Sequence, residues 1–416
     1  MNILLKNAQI FDGKHPSLHK GDVLVSGPKI LSLHETHQPA PQDTLSIDLN
    51  GKYLMPGLID AHVHITASQV DLNQETELPG YVYARSFSFL DSMLARGFTS
   101  VRDAGGADAG IKRAIEDQVI RGPRLFMSGR ALSQTGGHGD FRHPSSPMLT
   151  CACSLHTGST ISVIADGLSA VRKAVRKAVR EQFRMGASQI KVMAGGGIAS
   201  PNDRIENLQY SEAELSVIVD EAERYNSYVM AHAYSPAAII RCVRCGVRSI
   251  EHGNLLNAEA AQVMHEHDAF LVPTLSIYNA FILNAGNPAA GIPDSVLIKL
   301  KDVQSQALEA VRIARRHGVK IGLGTDLLGE FHSCQTDEFK LRAQVDTPFD
   351  VLQSATRVNA ELLNMQDQLG VVAPGALAGL IVLDQDPLQD LSLFDAAGTH
   401  VQMVIKNGEI LKNQLH

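Results

Sequence analysis

The sequence is poor in several things, and each shortage narrows what the chain can do. No stretch approaches the roughly 18 unbroken apolar residues that a membrane span needs. The N-terminus, MNILLKNAQIFDG, alternates like a strand and lacks the apolar core and small-residue cleavage site of a signal peptide. The chain is therefore read as a soluble, cytoplasmic protein. Basic charge is scarce: 37 Lys and Arg against 44 Asp and Glu leave a net charge of −7, with no basic tail at either end. That balance argues against nucleic acid or any other polyanion as a partner. There are five cysteines (Cys151, Cys153, Cys242, Cys245, Cys334), an odd number that fits a reducing compartment better than a disulfide framework. Cys242 and Cys245 have C-x-x-C spacing but sit on an amphipathic stretch, PAAIIRCVRCG, with no second pair nearby, and are read as helix packing. Phosphate-binding loops are missing too. Gly195-Gly196-Gly197 is not followed by Lys-Ser or Lys-Thr and lacks the G-x-G-x-x-G order, so the run is read as allowing close backbone approach beside Lys191.

What is present is an apolar chain of 416 residues, 44% hydrophobic, long enough for one large α/β body and a smaller domain. Residues 1–56 hold short alternating runs separated by Gly, Pro and polar turns, and the same texture returns near Gly370, with Asn407-Gly408 marking a hairpin. Both ends are expected to build one small β-sandwich domain, residues 1–56 plus 366–416, beside a body of residues 57–365. In that body eight strand patterns fall at 58–65, 99–105, 124–130, 189–195, 228–234, 248–254, 269–275 and 320–326. Helical patterns between them, SEAELSVIVDEAERYN and SVLIKLKDVQSQALEAVRIARRHG among them, predict a (β/α)8 barrel, with a doubly wound open sheet as the alternative. Two insertions, 131–166 and 276–293, are expected as long loops on the face where barrel enzymes bind substrate. The helix at 169–185 carries a basic face, read as the solvated outside of the barrel.

Chemistry gathers at the predicted strand ends. The run YLMPGLIDAHVHI ends in His62 and His64, which share one strand face, while strand four carries Lys191 and strands five, six and eight end with His232, His252 and Asp326. Singly, each has an ordinary explanation: a histidine bonded to backbone, a capping aspartate, a lysine that snorkels. Jointly, on one face of a barrel, they supply ligands for two divalent metals. A lysine ammonium would repel two cations, but a lysine whose pKa is lowered can react as the amine with carbon dioxide. The resulting carbamate is an anion with two oxygens, able to bridge two metals.

The set LIDAHVH, IKVMAGGG, AHAY, EHGN and GLGTD resembles the amidohydrolase superfamily, in particular its binuclear group with a carboxylated lysine on strand four. The resemblance covers nearly the whole chain, including the closing segment VVAPGALAGLIVLDQDPL. VRDAGG (101–106), SGRALSQTGGHGD (128–140) and GGGIASPND (195–203) are similar to the branch of Xaa-Pro dipeptidases and related amidases, ochratoxin-degrading enzymes included. That branch hydrolyses the amide joining an acyl or aminoacyl group to a C-terminal amino acid. The resemblance implies that His62, His64 and Asp326 hold one metal, that His232 and His252 hold the other, and that carboxylated Lys191 bridges them. Zinc is the default metal, with manganese or cobalt suited to the same ligands. It further implies that a hydroxide between the metals attacks the carbonyl, that Asp326 passes the proton to the leaving amine, and that His138 helps stabilise the oxyanion. Tyr234, on the strand face of His232, is a candidate donor to substrate. Arg204, with Arg142 and His143 as alternatives, is a candidate for the substrate carboxylate. Other readings are a cyclic amide or amidine hydrolase or deaminase (imidazolonepropionase-like), in which Lys191 is an ordinary lysine, and a non-catalytic metal-binding scaffold. A symmetric homo-oligomer is expected.

Overall fold

Both ends of the chain meet in one sheet. The structure, a computed structural model, describes residues 2–34, 41–72, 78–142, 161–166 and 171–415. Strands Asn2–Ile10, His19–Ser26, Lys29–His34, Thr44–Asp48 and Tyr53–Pro56 hydrogen-bond with Leu380–Leu383, Val401–Lys406 and Glu409–Asn413 in an eight-stranded sheet. The junction is the antiparallel pair Tyr53–Pro56 with Leu380–Leu383. Alternation along these strands buries Ile3, Leu5, Val23, Val25, Leu380, Val382, Met403 and Ile405 in one cluster. Asn407 (φ 52°) and Gly408 (φ 76°) turn the last hairpin, both in the left-handed region that a two-residue turn of this kind requires.

Between these ends the chain lays down parallel strands in two sheets, with helices between them, as expected for an α/β body. The smaller sheet runs Leu58–Val63, Phe98–Asp103, Arg124–Met127; the larger holds Ser162–Ile164, Ala131–Ser133, Ile190–Met193, Val229–Ala233, Ser249–His252, Phe270–Val272 and Lys320–Ile321 in that order. Backbone bonds link the sheets across the last and first strands: Ala61 N donates to Leu323 O (2.9 Å) and Asp326 N to His62 O (2.8 Å).

Several expectations need correction. The third strand does not run unbroken through 124–130: Arg124–Met127 pairs with Phe98–Asp103, and after a left-handed Gly129 the segment Ala131–Ser133 pairs with Ile190–Met193. The eighth is regular only over Lys320–Ile321. Beyond it Gly322 and Gly324 pass so close to neighbours that a Cβ on Gly324 would sit 2.5 Å from Val272 and 2.8 Å from the Cβ of His62. The insertion after the seventh strand is not a loop throughout, because LSIYNAFIL forms the helix Leu275–Leu283 and buries Ile277, Tyr278 and Phe281. The pattern over 295–318 divides into helices Asp294–Gln304 and Ala307–Arg316. The two halves serve different cores: Val296, Leu300 and Val303 pack over the mouth of the strands, and Ala310, Val311 and Ala314 against the outside of the larger sheet.

The basic face of Val171–Arg184 meets acidic neighbours; Arg180 pairs with the buried Glu221 at 2.6 Å. Cys242 is buried, its thiol pushed up to about 12 by burial, and it and Cys245 are both free. Cys151 and Cys153 lie outside the described residues. Among the described residues no helix is long and apolar enough to cross a membrane.

Helix Leu275–Leu283 is anchored by Glu338, fully buried, whose Oε2 accepts from Ser276 N (2.8 Å) and Ser276 Oγ (2.9 Å). Burial raises the Glu338 carboxyl to about 7, above its ordinary 4.5. A carboxyl that holds its proton more tightly folded than unfolded favours folding at low pH. This contribution is complete below the unfolded value and is lost as pH rises through the folded one. Stability should therefore fall by about 3 kcal/mol from this group between pH 4.5 and 7. Urea titrations of Glu338→Gln across that window should lack this component of the slope, and an unchanged slope would assign the pH dependence elsewhere.

Candidate metal centre

The C-terminal ends of the parallel strands converge on one pocket lined by His62, His64, His138, Lys191, His232, Tyr234, His252 and Asp326. His62 lies on the first strand, and His64 follows just past its end. Parallel register sets His232 beside Met193 and Glu251, so Lys191, two residues before Met193, faces the same way one pleat deeper. Glu251 and His252 are adjacent, yet both turn inward, which a regular strand forbids. His252 manages it with a left-handed backbone, φ 74°. Asp326 (φ 57°) and Thr274 (φ 49°) share that conformation, unusual for residues with a Cβ and commonest where function holds it in place.

The hydrogen-bond partners assign the histidine tautomers. His62 Nδ1 donates to Glu251 Oε2 at 2.6 Å, and His64 Nδ1 to Gly105 O at 2.9 Å, so each presents Nε2 as a lone pair. Both lone pairs face the same carboxylate oxygen, Asp326 Oδ1, at 3.3 Å and 3.2 Å. His62 Nε2 is buried with no hydrogen-bond partner. Three acceptors around one point, with no proton assigned between them, are matched by a cation. His62, His252 and Asp326 offer ligand atoms within 4.8 Å of one another. His252 Nδ1 is taken by Thr274 Oγ1 (2.7 Å), and His232 donates Nε2 to Gly196 O (3.1 Å), leaving Nδ1 as its lone pair. The donor set, imidazole and carboxylate, fits zinc and its neighbours.

Lys191 is 1% exposed. Burial pulls its pKa down to about 8, against the opposing pull of the Glu251 and Asp326 carboxylates, which brings the neutral amine within reach near neutral pH. Asp326 is held well below the usual carboxylate range: burial works against this, but His62, His64 and His252 outweigh it. It is thus an acceptor at neutral pH.

The support behind these groups was not assigned from sequence. Glu251 also accepts from Arg102 Nη2 (2.9 Å) and from Ser249 Oγ; Arg102 Nε donates to Ala61 O (2.6 Å), and both members of this ion pair are fully buried. Asp60, for which sequence suggested only packing or support, accepts from His62 N (3.1 Å), Thr325 Oγ1 (2.7 Å) and Gln335 Nε2 (2.9 Å), tying the first strand to the segment that carries Asp326. Asp103 accepts from Ile65 N and Gly105 N, fixing the loop whose carbonyl orients His64.

His138 enters from the 131–142 segment and stacks on His232, ring centroids 4.1 Å apart. Its ring lies where a Cβ on Gly197 would be, 2.2 Å away, which is the close approach that the glycine run permits. Asp203 Oδ2 stands 3.6 Å from His138 Nδ1, and Lys299 Nζ bonds Asp203 Oδ1 (3.1 Å), Gly197 O (3.0 Å) and Ser200 O (2.8 Å). Burial would raise Asp203, but His138, Ser200 and Lys299 bring it down to about 2. Tyr234 accepts a hydrogen bond from Tyr278 (3.0 Å), leaving its own hydroxyl proton free to be donated.

Arg204 is not brought to this pocket. Its side chain is 81% exposed and pairs with Glu206, because the backbone here packs onto Gly196 and turns Asp203 inward and Arg204 outward. Arg142 is engaged by Asp140 through two bonds (2.6 and 2.7 Å), and His143 lies outside the described residues. The remaining walls are apolar, formed by Phe141, Ile161, Ile198, Ile277, Phe281 and Leu328 among others.

A sequence model described as the amidohydrolase family matches residues 53–411, which include every ligand candidate. The chain belongs to the amidohydrolase family. Among curated relatives of this amidohydrolase is the ochratoxinase of Aspergillus niger, 35% identical over 373 residues, covering 86% of this chain and 75% of that one. A solved prolidase in complex with N-methylphosphonate-L-proline is 46% identical, with a TM-score of 0.95 over the whole of both chains. A Xaa-Pro dipeptidase with methionine bound in its active site is 27% identical, with a TM-score of 0.87 over 99% of this chain and 100% of that one. The branch that the sequence resembles is thus represented among its structural neighbours.

Proposed function

We propose that this amidohydrolase uses two divalent metal ions to cleave the amide joining an acyl or aminoacyl group to a C-terminal amino acid. Xaa-Pro dipeptides and aromatic N-acyl amino acids such as ochratoxin are the substrate class. The observation that carries this reading is the convergence of acceptor-only faces, His62, His64 and Asp326, beside a buried lysine at the floor of an apolar pocket. In this reading His62, His64 and Asp326 would hold one ion and His232 and His252 the other, with carboxylated Lys191 a further ligand and zinc the default. The two sheets act as one (β/α)8 barrel of residues 57–365, and residues 1–56 plus 366–416 form the small β-sandwich domain; the sheet shared by the two ends supports that division.

Such ions, when bound, supply Lewis acidity toward a carbonyl and make water nucleophilic at neutral pH. The chain's own residues do the rest. Asp326, ionised and aimed at the centre of the pocket, accepts the proton of the attacking water and delivers it to the amine nitrogen, which leaves as a neutral amine. His138, braced by Gln209 on its backbone and standing beside Asp203, offers its ring toward the developing oxyanion. Tyr234 donates its free proton to a substrate oxygen. The apolar walls exclude water and receive an apolar acyl or side-chain group.

The deciding experiment is a panel of dipeptides and N-acyl amino acids that varies the leaving residue (Pro, Phe, Arg, Lys, Met) and the acyl group, with metal counted on the same preparation. Release of the C-terminal amino acid, abolished by a chelator and restored by zinc or manganese, is the expected result. Turnover of cyclic amides or amino-purines alone would overturn this substrate class while leaving the family membership intact.

A further inference from the structure

At the opposite ends of the parallel strands lies a second cavity, of about 400 Å³, between the C-terminal hairpin and the start of the strand Arg124–Met127. Two cations face it. Lys406 is 9% exposed and donates Nζ to Gly122 O at 2.6 Å. Arg124 bonds the side-chain oxygen of Asn407 and, at 3.4 Å, Ser100 Oγ. Every one of these partners is neutral, and among the described residues no carboxylate forms an ion pair with either cation. Burial lowers the pKa of both; for Lys406, brought down to about 8, the nearby Arg124 charge is a further cause and Glu409 opposes it. Lys112 adds to the positive rim, while Arg121, also at the rim, is paired with Asp91 at 3.3 Å. Two acids also line the cleft. Glu409 is bonded through both oxygens by Gln118 Nε2 (2.8 Å each) and partly offsets the Lys406 charge, and Glu116 is an exposed rim residue; among the described residues neither forms an ion pair with Arg124 or Lys406.

We propose that this cleft is a binding site for a small oxyanion, a phosphate or carboxylate group, gripped by Arg124 and Lys406. A guanidinium can supply paired donors to two oxygens and an ammonium a third contact, a donor set suited to either group. Ile120, Phe126 and Leu411 line the rest, so an anion carried on an apolar body fits better than a bare ion. The site joins the terminal sheet to the strand body, and an occupant would staple the two together.

Thermal melts of the metal-loaded chain with inorganic phosphate and with succinate, at ionic strength matched by chloride, test this. A saturable rise in Tm of about 2 °C or more with either anion is expected, and the more effective anion names the preferred group. Arg124→Gln and Lys406→Met should each weaken the apparent affinity about tenfold without changing hydrolysis, while Arg204→Gln, an exposed control, should change neither. Phosphate can also reach the metal centre, where it would compete with substrate, so a shift that survives in both cleft variants overturns the proposal, as does the absence of any shift. Should either variant fail to fold, a crystal grown in phosphate decides: density between Arg124 and Lys406 supports the site, and density at the metal centre alone overturns it.

Discussion

Lys191→Ala is expected to lower hydrolysis on the order of 10³-fold, the scale of losing one preorganised electrostatic element, and to lower retained metal from roughly two ions per chain to one or fewer. The physical reason is the double character of this position. Lys191 is sealed among His232, Glu251 and Asp326, where a permanent ammonium would oppose any cation bound by those histidines, and where burial brings the pKa down to about 8. Only the neutral amine can take up carbon dioxide, and only the resulting anion reverses the sign of the charge. Lys191→Arg separates this account from simple loss of packing: a guanidinium fills the space but neither deprotonates nor carboxylates. It should be as inactive as the alanine variant, and substantial activity in Lys191→Arg with full metal content would end the carbamate reading. Acetate should partly restore Lys191→Ala, because a free carboxylate can occupy the place of the lost one. Metal analysis of the purified variants, alongside kcat/KM, is the measurement.

Glu251→Gln should be the most damaging change to stability that leaves every proposed ligand intact. Glu251 holds the Nδ1 proton of His62 and neutralises Arg102, both at full burial. Removing one partner of such a pair leaves an unpaired charge in the interior and costs about 3–5 kcal/mol. The same substitution frees the His62 ring, for which a 10–100-fold loss in metal affinity is expected. The two effects can be told apart. Arg102→Met added to Glu251→Gln removes the stranded cation and should recover a large part of the stability, but none of the metal affinity. Chemical denaturation of the metal-free proteins and metal titration of the folded ones give the two readouts. A double variant no more stable than Glu251→Gln would show that the charge pair is not the source of the loss.

The residues proposed to carry chemistry were legible because they punctuate apolar runs. His62, His64, His232 and His252 stand at or just past the end of a buried strand, Lys191 lies within one and Asp326 in the segment beyond another, and the structure brings all six to one pocket. Their partners were not legible. His62 and Glu251 are separated by 189 positions, and nothing local to IEHGN says that its glutamate serves a histidine on the first strand. Asp203 and Lys299 meet across 96 positions, and Lys299 lies on a helix that sequence periodicity merged with the next one. Arg204 was misjudged for a different reason. On a tight loop adjacent side chains point opposite ways, and choosing which of Asp203 and Arg204 faces inward depends on Gly196 accepting the backbone between them. Strands from the two β-rich ends share one sheet, and their alternation is what leaves each end an apolar face to bury against the other.

One side chain stands in for a missing length of ladder at the join between the last strand and the first. Asn359 Nδ2 donates to Ile59 O (2.7 Å) and Leu323 O (2.8 Å), and its Oδ1 accepts from Leu323 N (3.2 Å). A ladder spreads restraint over many peptide groups; here a few backbone bonds are supplemented by three from a single amide on the helix Asn359–Leu362, immediately after the π turn Ser354–Val358. Amide exchange at Leu323 is thus governed by the opening of that outer helix rather than by the strands on either side. Asp326 follows three residues later. The segment that carries the acid proposed to move the proton is therefore tied on one side to a helix outside the pocket, and Asn359→Ala is expected to loosen that tie without altering any proposed ligand.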